Sequence, residues 1–266
     1  MSTDLDPVAG TARLTAAVRA RESARPDRLF DDPFAGVLAG DSGRALLGSL
    51  GGDVPAISVR TRYFDDRLTA ALGAGDPRQL VIVAAGMDTR AHRLSFAPGT
   101  TVYELDRPEL LELKGGLLAG DVPRPRNVRV PVGVDLTAAA WTGALQDSGF
   151  RPEEPSCWLA EGLTQYLAEQ DVHVLLDRIT SLSAPGSHLF TDFVAGSLLR
   201  DPAARPMLDL LAGWGATWHY GTDDPAPLLT ARGWRPEVSA FSAVGRALGR
   251  PSLPDTPGGH LVHAQR

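Results

Sequence analysis

The sequence has little cysteine, no excess of basic charge and no long apolar run, and each shortage removes a class of protein. A single cysteine, Cys157, cannot form an internal disulfide. No cluster of Cys and His with zinc-ligand spacing is present, so no metal is assigned. No apolar stretch approaches the roughly 20 residues that cross a bilayer, so a membrane span is not expected. The opening Met1-Ser2-Thr3-Asp4-Leu5-Asp6 has neither the basic start nor the apolar core of a signal peptide. With the lone cysteine, this points to a reducing cytoplasm. A net charge of -6 argues against nucleic acid or an anionic membrane as partner, because either would call for a basic surface. A small molecule is the expected partner. Internal repeats, heptads and long low-complexity tracts are missing too.

What is present suits one well-packed domain: 266 residues with 43% hydrophobic content. The stretch Leu80-Val81-Ile82-Val83-Ala84-Ala85-Gly86-Met87-Asp88-Thr89-Arg90 organises the rest. Four apolar residues without alternation run into small residues, a glycine and a polar turn. That is how a strand buried on both faces of a parallel sheet ends. Ligands of open α/β sheets bind beyond such ends, where small residues let them approach the backbone. Asp106 closes a second strand over 101–106, and an acid there commonly holds ribose hydroxyls.

Residues 8–24 read as an amphipathic helix stopped by Pro26, and the turns that follow predict a short helix starting at Pro33 with Asp32 as its cap. A helix over 54–72 carries Arg60, Arg62, Asp65, Asp66 and Arg67. Strands and helices then alternate as in a βαβ array. The expected strands are 80–83, 101–106, 128–134, 156–160 and 187–194, with helices over 108–118, around Trp141 and Leu145, and over 170–182. Two late strands, 234–240 and 259–264, are separated by a Pro/Gly-rich stretch with no helix of its own, which predicts an antiparallel hairpin closing a mostly parallel sheet.

Asp106, Asp135 and Glu161 fall at the ends of the second, third and fourth strands, so their carboxylates share one edge of the sheet. Each alone also suits a helix cap or a solvated turn. Arg60 and Arg21 are the candidate counter-charges, since a guanidinium holds a carboxylate through paired hydrogen bonds. Of the scattered histidines only His219, within Trp214-Gly215-Ala216-Thr217-Trp218-His219-Tyr220, has company suggestive of catalysis. Trp214, Trp218, Tyr220 and Phe193 suit either an aromatic-lined pocket or plain core.

The motifs together resemble the S-adenosylmethionine-dependent methyltransferases of the leucine carboxyl methyltransferase type, including polyketide O-methyltransferases. The matching pieces are Arg19-Ala20-Arg21-Glu22-Ser23, Leu29-Phe30-Asp31-Asp32-Pro33-Phe34-Ala35, Arg60-Thr61-Arg62-Tyr63-Phe64-Asp65-Asp66 and Ala85-Gly86-Met87-Asp88-Thr89-Arg90-Ala91. They continue with Tyr103-Glu104-Leu105-Asp106-Arg107-Pro108-Glu109, Val134-Asp135-Leu136 and Ala160-Glu161-Gly162-Leu163-Thr164-Gln165-Tyr166-Leu167. One departure is Ala84, where many relatives have Gly.

The resemblance implies an α/β, Rossmann-like class I methyltransferase fold: a mostly parallel seven-stranded sheet with helices on both faces, an antiparallel last strand and an amino-terminal helical lid. A single domain would comprise lid and lead-in (1–75), cofactor core (76–194), substrate cap (195–233) and closing strands (234–266). The implied cofactor is S-adenosyl-L-methionine. Gly86 would lie against its methionine part, Asp106 would bind the ribose, and Asp135 and Leu136 would bracket the adenine. Arg60 would hold the carboxylate with support from Arg21, and Glu161 would sit near the amino group.

The acceptor would be a small molecule methylated on oxygen. A carboxylate is ionised at neutral pH and needs no general base, whereas a hydroxyl gains from one. The scarcity of His/acid pairs therefore tilts the reading to a carboxylate, with a hydroxyl of a polyketide-like metabolite as the other choice. An NAD(P)-dependent oxidoreductase would share the strand, glycine turn and distant acid, but the second and third glycines and a Tyr-x-x-x-Lys pair are missing. A cofactor-binding protein without catalysis is the third reading.

Overall fold

The computed structural model describes residues 7–51, 54–73, 75–120, 126–250 and 258–266, with the side chains of 7–9 left aside. Its first strand, β1 (Gln79–Val83), is buried at every position. Val81 and Val83 enter one apolar cluster, while Leu80 and Ile82 enter another. The run shows no alternation because each side of the strand faces a core. Burying each such side chain contributes roughly 1.5 to 3 kcal/mol.

Helices α1 (Pro7–Ser23), α2 (Ala35–Ser49) and α3 (Pro55–Gly73) precede β1. After it come α4 (Arg90–Arg93), β2 (Thr101–Asp106), α5 (Pro108–Leu117), β3 (Val128–Gly133), α6 (Trp141–Asp147), β4 (Cys157–Ala160), α7 (Glu169–Ser181) and β5 (His188–Val194). The chain continues through α8 (Arg205–Gly213) and α9 (Ala226–Thr230) to β6 (Arg235–Ala240), α10 (Phe241–Ala247) and β7 (Gly259–Gln265). The seven-stranded sheet has the order β3-β2-β1-β4-β5-β7-β6. Strands β1 to β5 pair in parallel, and β7 runs antiparallel to both β5 and β6. Pro131 and Pro236 fall on the edge strands β3 and β6, where a missing N–H costs no ladder bond.

One face of the sheet is covered by Trp141 and Leu145 of α6 and by Val172, Leu176 and Ile179 of α7. The other is covered by Val59, Phe64, Leu68 and Leu72 of α3. A third cluster belongs to α1 and α2, whose Leu14, Val18, Leu38 and Leu47 close on Met87 and Leu110. The amino-terminal helices thus carry a core of their own, seated on the turn that follows β1. They cross at close range: a Cβ on Gly43 would lie 2.4 Å from the Arg13 carbonyl oxygen.

Two expectations need correction. The helix predicted at Pro33 begins at Ala35 and continues to Ser49, bent at Gly40. Pro33 lies in the preceding turn because the Asp32 carboxylate accepts from Phe34 N at 3.2 Å, setting the entry one step later. The stretch between the last two strands does hold a helix, α10, with Gly245 buried inside it. Residues 251–257 of that stretch, like the opening Met1–Asp6, lie outside the described residues.

Candidate active site

Register brings the strand ends level. Val83 pairs with Leu105 and Asp106 with Gly133. Pairing runs one step further through Ala85 N to Leu105 O at 2.9 Å and Val134 N to Asp106 O at 2.8 Å. Gly86 is the next residue of β1's chain, and its N–H donates to Asp106 Oδ2 at 2.7 Å. The second oxygen of Asp106 accepts from Arg107 N at 2.8 Å. Burial nevertheless pushes the Asp106 carboxyl above its ordinary pKa, against these two N–H groups. Ala84, the departure from the family pattern, sits at φ +55°, in the left-handed region that favours glycine. Gly86 itself has φ +45°, and a Cβ there would meet Ala12 of α1 at 3.3 Å, so the lid helix rests directly on this turn.

At the end of β4, Glu161 Oε1 accepts from Arg60 Nε at 2.9 Å, and its Oε2 lies 2.8 Å from Arg90 Nη1. Burial opposes the charge on Glu161, but Arg90 and Arg60 outweigh it and hold the carboxyl below its usual range. Arg60 also donates through Nη1 to Asp192 of β5 at 2.9 Å, and the other Asp192 oxygen accepts from Gly162 N at 2.7 Å. Gly162 has no room for a side chain, since a Cβ would lie 2.8 Å from Arg60 Nη2, and its φ is +64°.

The charges form one alternating row. Arg90 pairs with Asp88 and, at 2.8 Å, with Asp65, which in turn takes Arg93 at 2.6 Å. Arg93 donates to Thr89 Oγ1 at 3.0 Å, and Thr89 donates to Asp32 at 2.7 Å. Asp32 accepts from Arg19 Nε at 2.9 Å, while Arg19 Nη2 donates to Met87 O at 2.6 Å. The row thus runs from the lid to β5. Asp192, Arg90, Asp88, Asp65, Arg19 and Asp32 were not singled out from the sequence as site residues. Asp192 could have been, as a polar residue inside the apolar strand Leu189-Phe190-Thr191-Asp192-Phe193.

The other predicted residues are placed as follows. Asp135 is exposed beyond β3, and its Oδ1 accepts from Thr137 N and Oγ1 at 2.9 and 2.7 Å. Leu136 lines a cleft of about 330 Å³ with Leu163, Leu167, Leu175 and Arg178. Arg21 lines a different cleft, about 270 Å³, with Ser58 and Arg250; Arg19 is the lid arginine that reaches the Gly86 turn. His219 is exposed, and its backbone N–H donates to Gln165 O at 2.7 Å. Trp214 packs against the lid cluster, so the 195–222 segment and the amino-terminal helices meet over the sheet. Tyr220 and Phe193 belong to the core, ring on edge at 6.4 Å.

Residues 12–180, well over half of the chain, match the family model described as leucine carboxyl methyltransferase. The chain belongs to the leucine carboxyl methyltransferase family. It is 40% identical to a protein from Parafrankia sp. (strain EAN1pec) designated a candidate S-adenosyl-L-methionine-dependent methyltransferase, over 97% of this chain and 87% of that one. A protein of like designation from Frankia alni is 39% identical, over 96% and 94% of the two chains. The fold is shared with the solved structure of a candidate methyltransferase from Thermobifida fusca YX, at TM-score 0.66 and 18% identity, covering 96% of this chain and 94% of that one. This methyltransferase therefore uses S-adenosyl-L-methionine, and the dinucleotide reading is set aside.

The residues present fit that cofactor. Arg90 Nη2 is buried with no acceptor among the described residues, at the strand ends where an amino-acid carboxylate would supply one. The carboxylates of Asp106 and Glu161, at the ends of β2 and β4, suit the hydroxyls and the ammonium.

Proposed function

We propose that this methyltransferase transfers the methyl group to an oxygen of a small molecule, a carboxylate before a hydroxyl. One observation carries the reading: Gly86, Asp106, Asp135 and Glu161 stand at the ends of four neighbouring parallel strands, beneath a lid arginine hydrogen-bonded to the Gly86 turn. Asp106 binds the ribose hydroxyls, Asp135 and Leu136 bracket the adenine, and Gly86 lies along the methionine part. Arg60 and Arg90, the two arginines paired to Glu161, hold the carboxylate and Glu161 faces the amino group, while Arg21 lines a separate cleft.

The bound cofactor supplies a methyl carbon made electrophilic by its sulfonium. Held at these strand ends, it would give that methyl to an acceptor oxygen and keep the C–S bond pair, so no protein group need take it. The chain's contribution is to exclude water and fix the line of approach. The lid and the 195–222 segment do the first; the paired Arg60 and Glu161, held by Asp192 and Arg90, do the second. A carboxylate acceptor arrives without a proton to lose. For a hydroxyl acceptor, the base in this reading is His219 of the 195–222 segment.

The test is transfer of labelled methyl from S-adenosylmethionine to a panel of small acids and phenols, followed by mild alkali. A methyl ester releases methanol and an ether does not. Labelled products that all survive alkali would overturn the carboxylate reading. Micromolar binding of NAD with no binding of S-adenosylhomocysteine would overturn the cofactor placement.

A further inference from the structure

Two buried carboxylates compete for one arginine. Arg93 gives Nη1 and Nη2 to the two oxygens of Asp65, at 2.6 and 2.8 Å, while an oxygen of Asp32, in the turn between α1 and α2, lies 3.9 Å from its Nε. Thr89 stands between the contenders. Its Oγ1 accepts from Arg93 Nε at 3.0 Å and donates to that same Asp32 oxygen at 2.7 Å. The side chains of all four are buried, so bulk water does not stand in for a lost partner. Thr89 precedes α4, where a hydroxyl would ordinarily cap the first turn, yet it makes no cap bond. The hydroxyl serves the join between Asp32 and Arg93 instead.

Asp65 passes the constraint on. Its Oδ1 also accepts from Arg90 Nε at 2.8 Å, and Arg90 Nη1 reaches Asp88 in the turn after β1 and Glu161 at the end of β4. These three acids fix the plane of the Arg90 guanidinium, and Nη2 is the donor left for the cofactor carboxylate. A hydroxyl has one donor and two lone pairs, so threonine answers both of its neighbours at once; valine, of nearly the same shape, answers neither. Without the hydroxyl, Arg93 Nε would turn to Asp32 for an acceptor, draw the fork off Asp65 and leave Arg90 less firmly held. We propose that Thr89 is a positioning residue for the cofactor carboxylate: it keeps Arg93 on Asp65 and, through Asp65, fixes Arg90. This rests on the reading that Arg60 and Arg90 hold that carboxylate. Thr89 acts through its neighbours and not by touching the cofactor.

The test titrates S-adenosylhomocysteine and 5′-methylthioadenosine, which keeps the adenine, ribose and sulfur but has no amino-acid end, into wild type, Thr89→Val and Thr89→Ser. We expect Thr89→Val to weaken S-adenosylhomocysteine about tenfold and 5′-methylthioadenosine by less than about twofold, because only the first carries the carboxylate that Arg90 holds. Thr89→Ser keeps the hydroxyl and restores the wild-type difference. A residue that merely packs the turn would lower the melting temperature and spare both ligands or weaken both alike. Either pattern in folded Thr89→Val overturns the proposal, as does a serine variant no better than the valine one. If Thr89→Val does not fold, Thr89→Ala takes its place in the same comparison. Wild type that binds the two ligands equally well removes the carboxylate reading, and this proposal with it, while leaving the methyltransferase assignment in place.

Discussion

Asp106→Asn separates the structural and the binding work of one carboxylate. Asp106 gives one oxygen to Gly86 N and the other to Arg107 N. Asparagine has a single carbonyl oxygen, so one of those N–H groups would face an amide NH₂ instead. A buried donor left without an acceptor costs about 1 to 3 kcal/mol. Part of this returns, because burial pushes the Asp106 carboxyl up and a neutral side chain escapes that penalty. The net loss should be about 1 to 2 kcal/mol, which lowers the melting temperature by roughly 2 to 8 °C in a chain of this size. Binding should suffer more. A charge-assisted hydrogen bond to the ribose is worth about 1.5 to 3 kcal/mol, so the dissociation constant for S-adenosylhomocysteine should rise by roughly ten- to a hundredfold. Differential scanning fluorimetry and calorimetric titration read the two effects. A lower melting temperature with unchanged affinity would mean that Asp106 serves the turn alone, and the ribose assignment would be wrong.

Asp88 is held at a pKa of about 2, down from 3.8: burial opposes the charge, but Arg90, Lys114 and the Arg90 backbone N–H outweigh it. A depressed acid stabilises the fold above its unfolded pKa and loses that contribution as pH falls through the folded one. About 2 kcal/mol should therefore disappear between pH 4 and pH 2, and urea titrations should find that part missing in Asp88→Asn. Ala84→Gly should be neutral or stabilising by up to about 1 kcal/mol, since the left-handed backbone at Ala84 costs roughly 1 to 2 kcal/mol without glycine and added freedom in the unfolded chain takes some back; a clear loss of stability would contradict the strain. Gly162→Ala should do the reverse, pushing Arg60 from Glu161 and Asp192 and weakening S-adenosylhomocysteine binding at least tenfold. An unchanged titration would show that Arg60 has no part in holding the cofactor.

The strands were legible because their burial is written in the order of residues. β1 is apolar throughout, β2 ends in Asp106, and glycines and prolines mark the turns between them. The full length of α2 and the presence of α10 were obscured by glycine. Gly36, Gly40, Gly43 and Gly48 lower the helix propensity of α2, yet Gly43 is what allows the backbone of α1 to approach, a gain no local pattern reveals. Gly245 does the same for α10, where a Cβ would lie 2.7 Å from the Arg250 carbonyl oxygen. Within the site, single residues at strand ends were readable and their partners were not. Arg60 and Asp192 are 132 positions apart, and nothing along the chain links them before the sheet forms. Arg19 and Arg21 sit in one motif, and only the crossing of the helices decides that Arg19 turns toward Met87.

The row of alternating charges from Arg19 to Asp192 also constrains descent. Each inner member is shared: Asp65 answers Arg90 and Arg93, and Glu161 answers Arg60 and Arg90. Replacing one leaves a buried opposite charge uncompensated, which costs more than the pair contributes. A second replacement that removes the stranded charge recovers much of the loss, so effects along the row do not add. Lineages can therefore change it only by steps that pass through a poorer protein or by two substitutions arriving close together. Positions far apart in the chain, such as Asp65 and Arg93, should accordingly vary in concert among relatives, while Asp66, paired with the exposed Arg62, should be far less constrained.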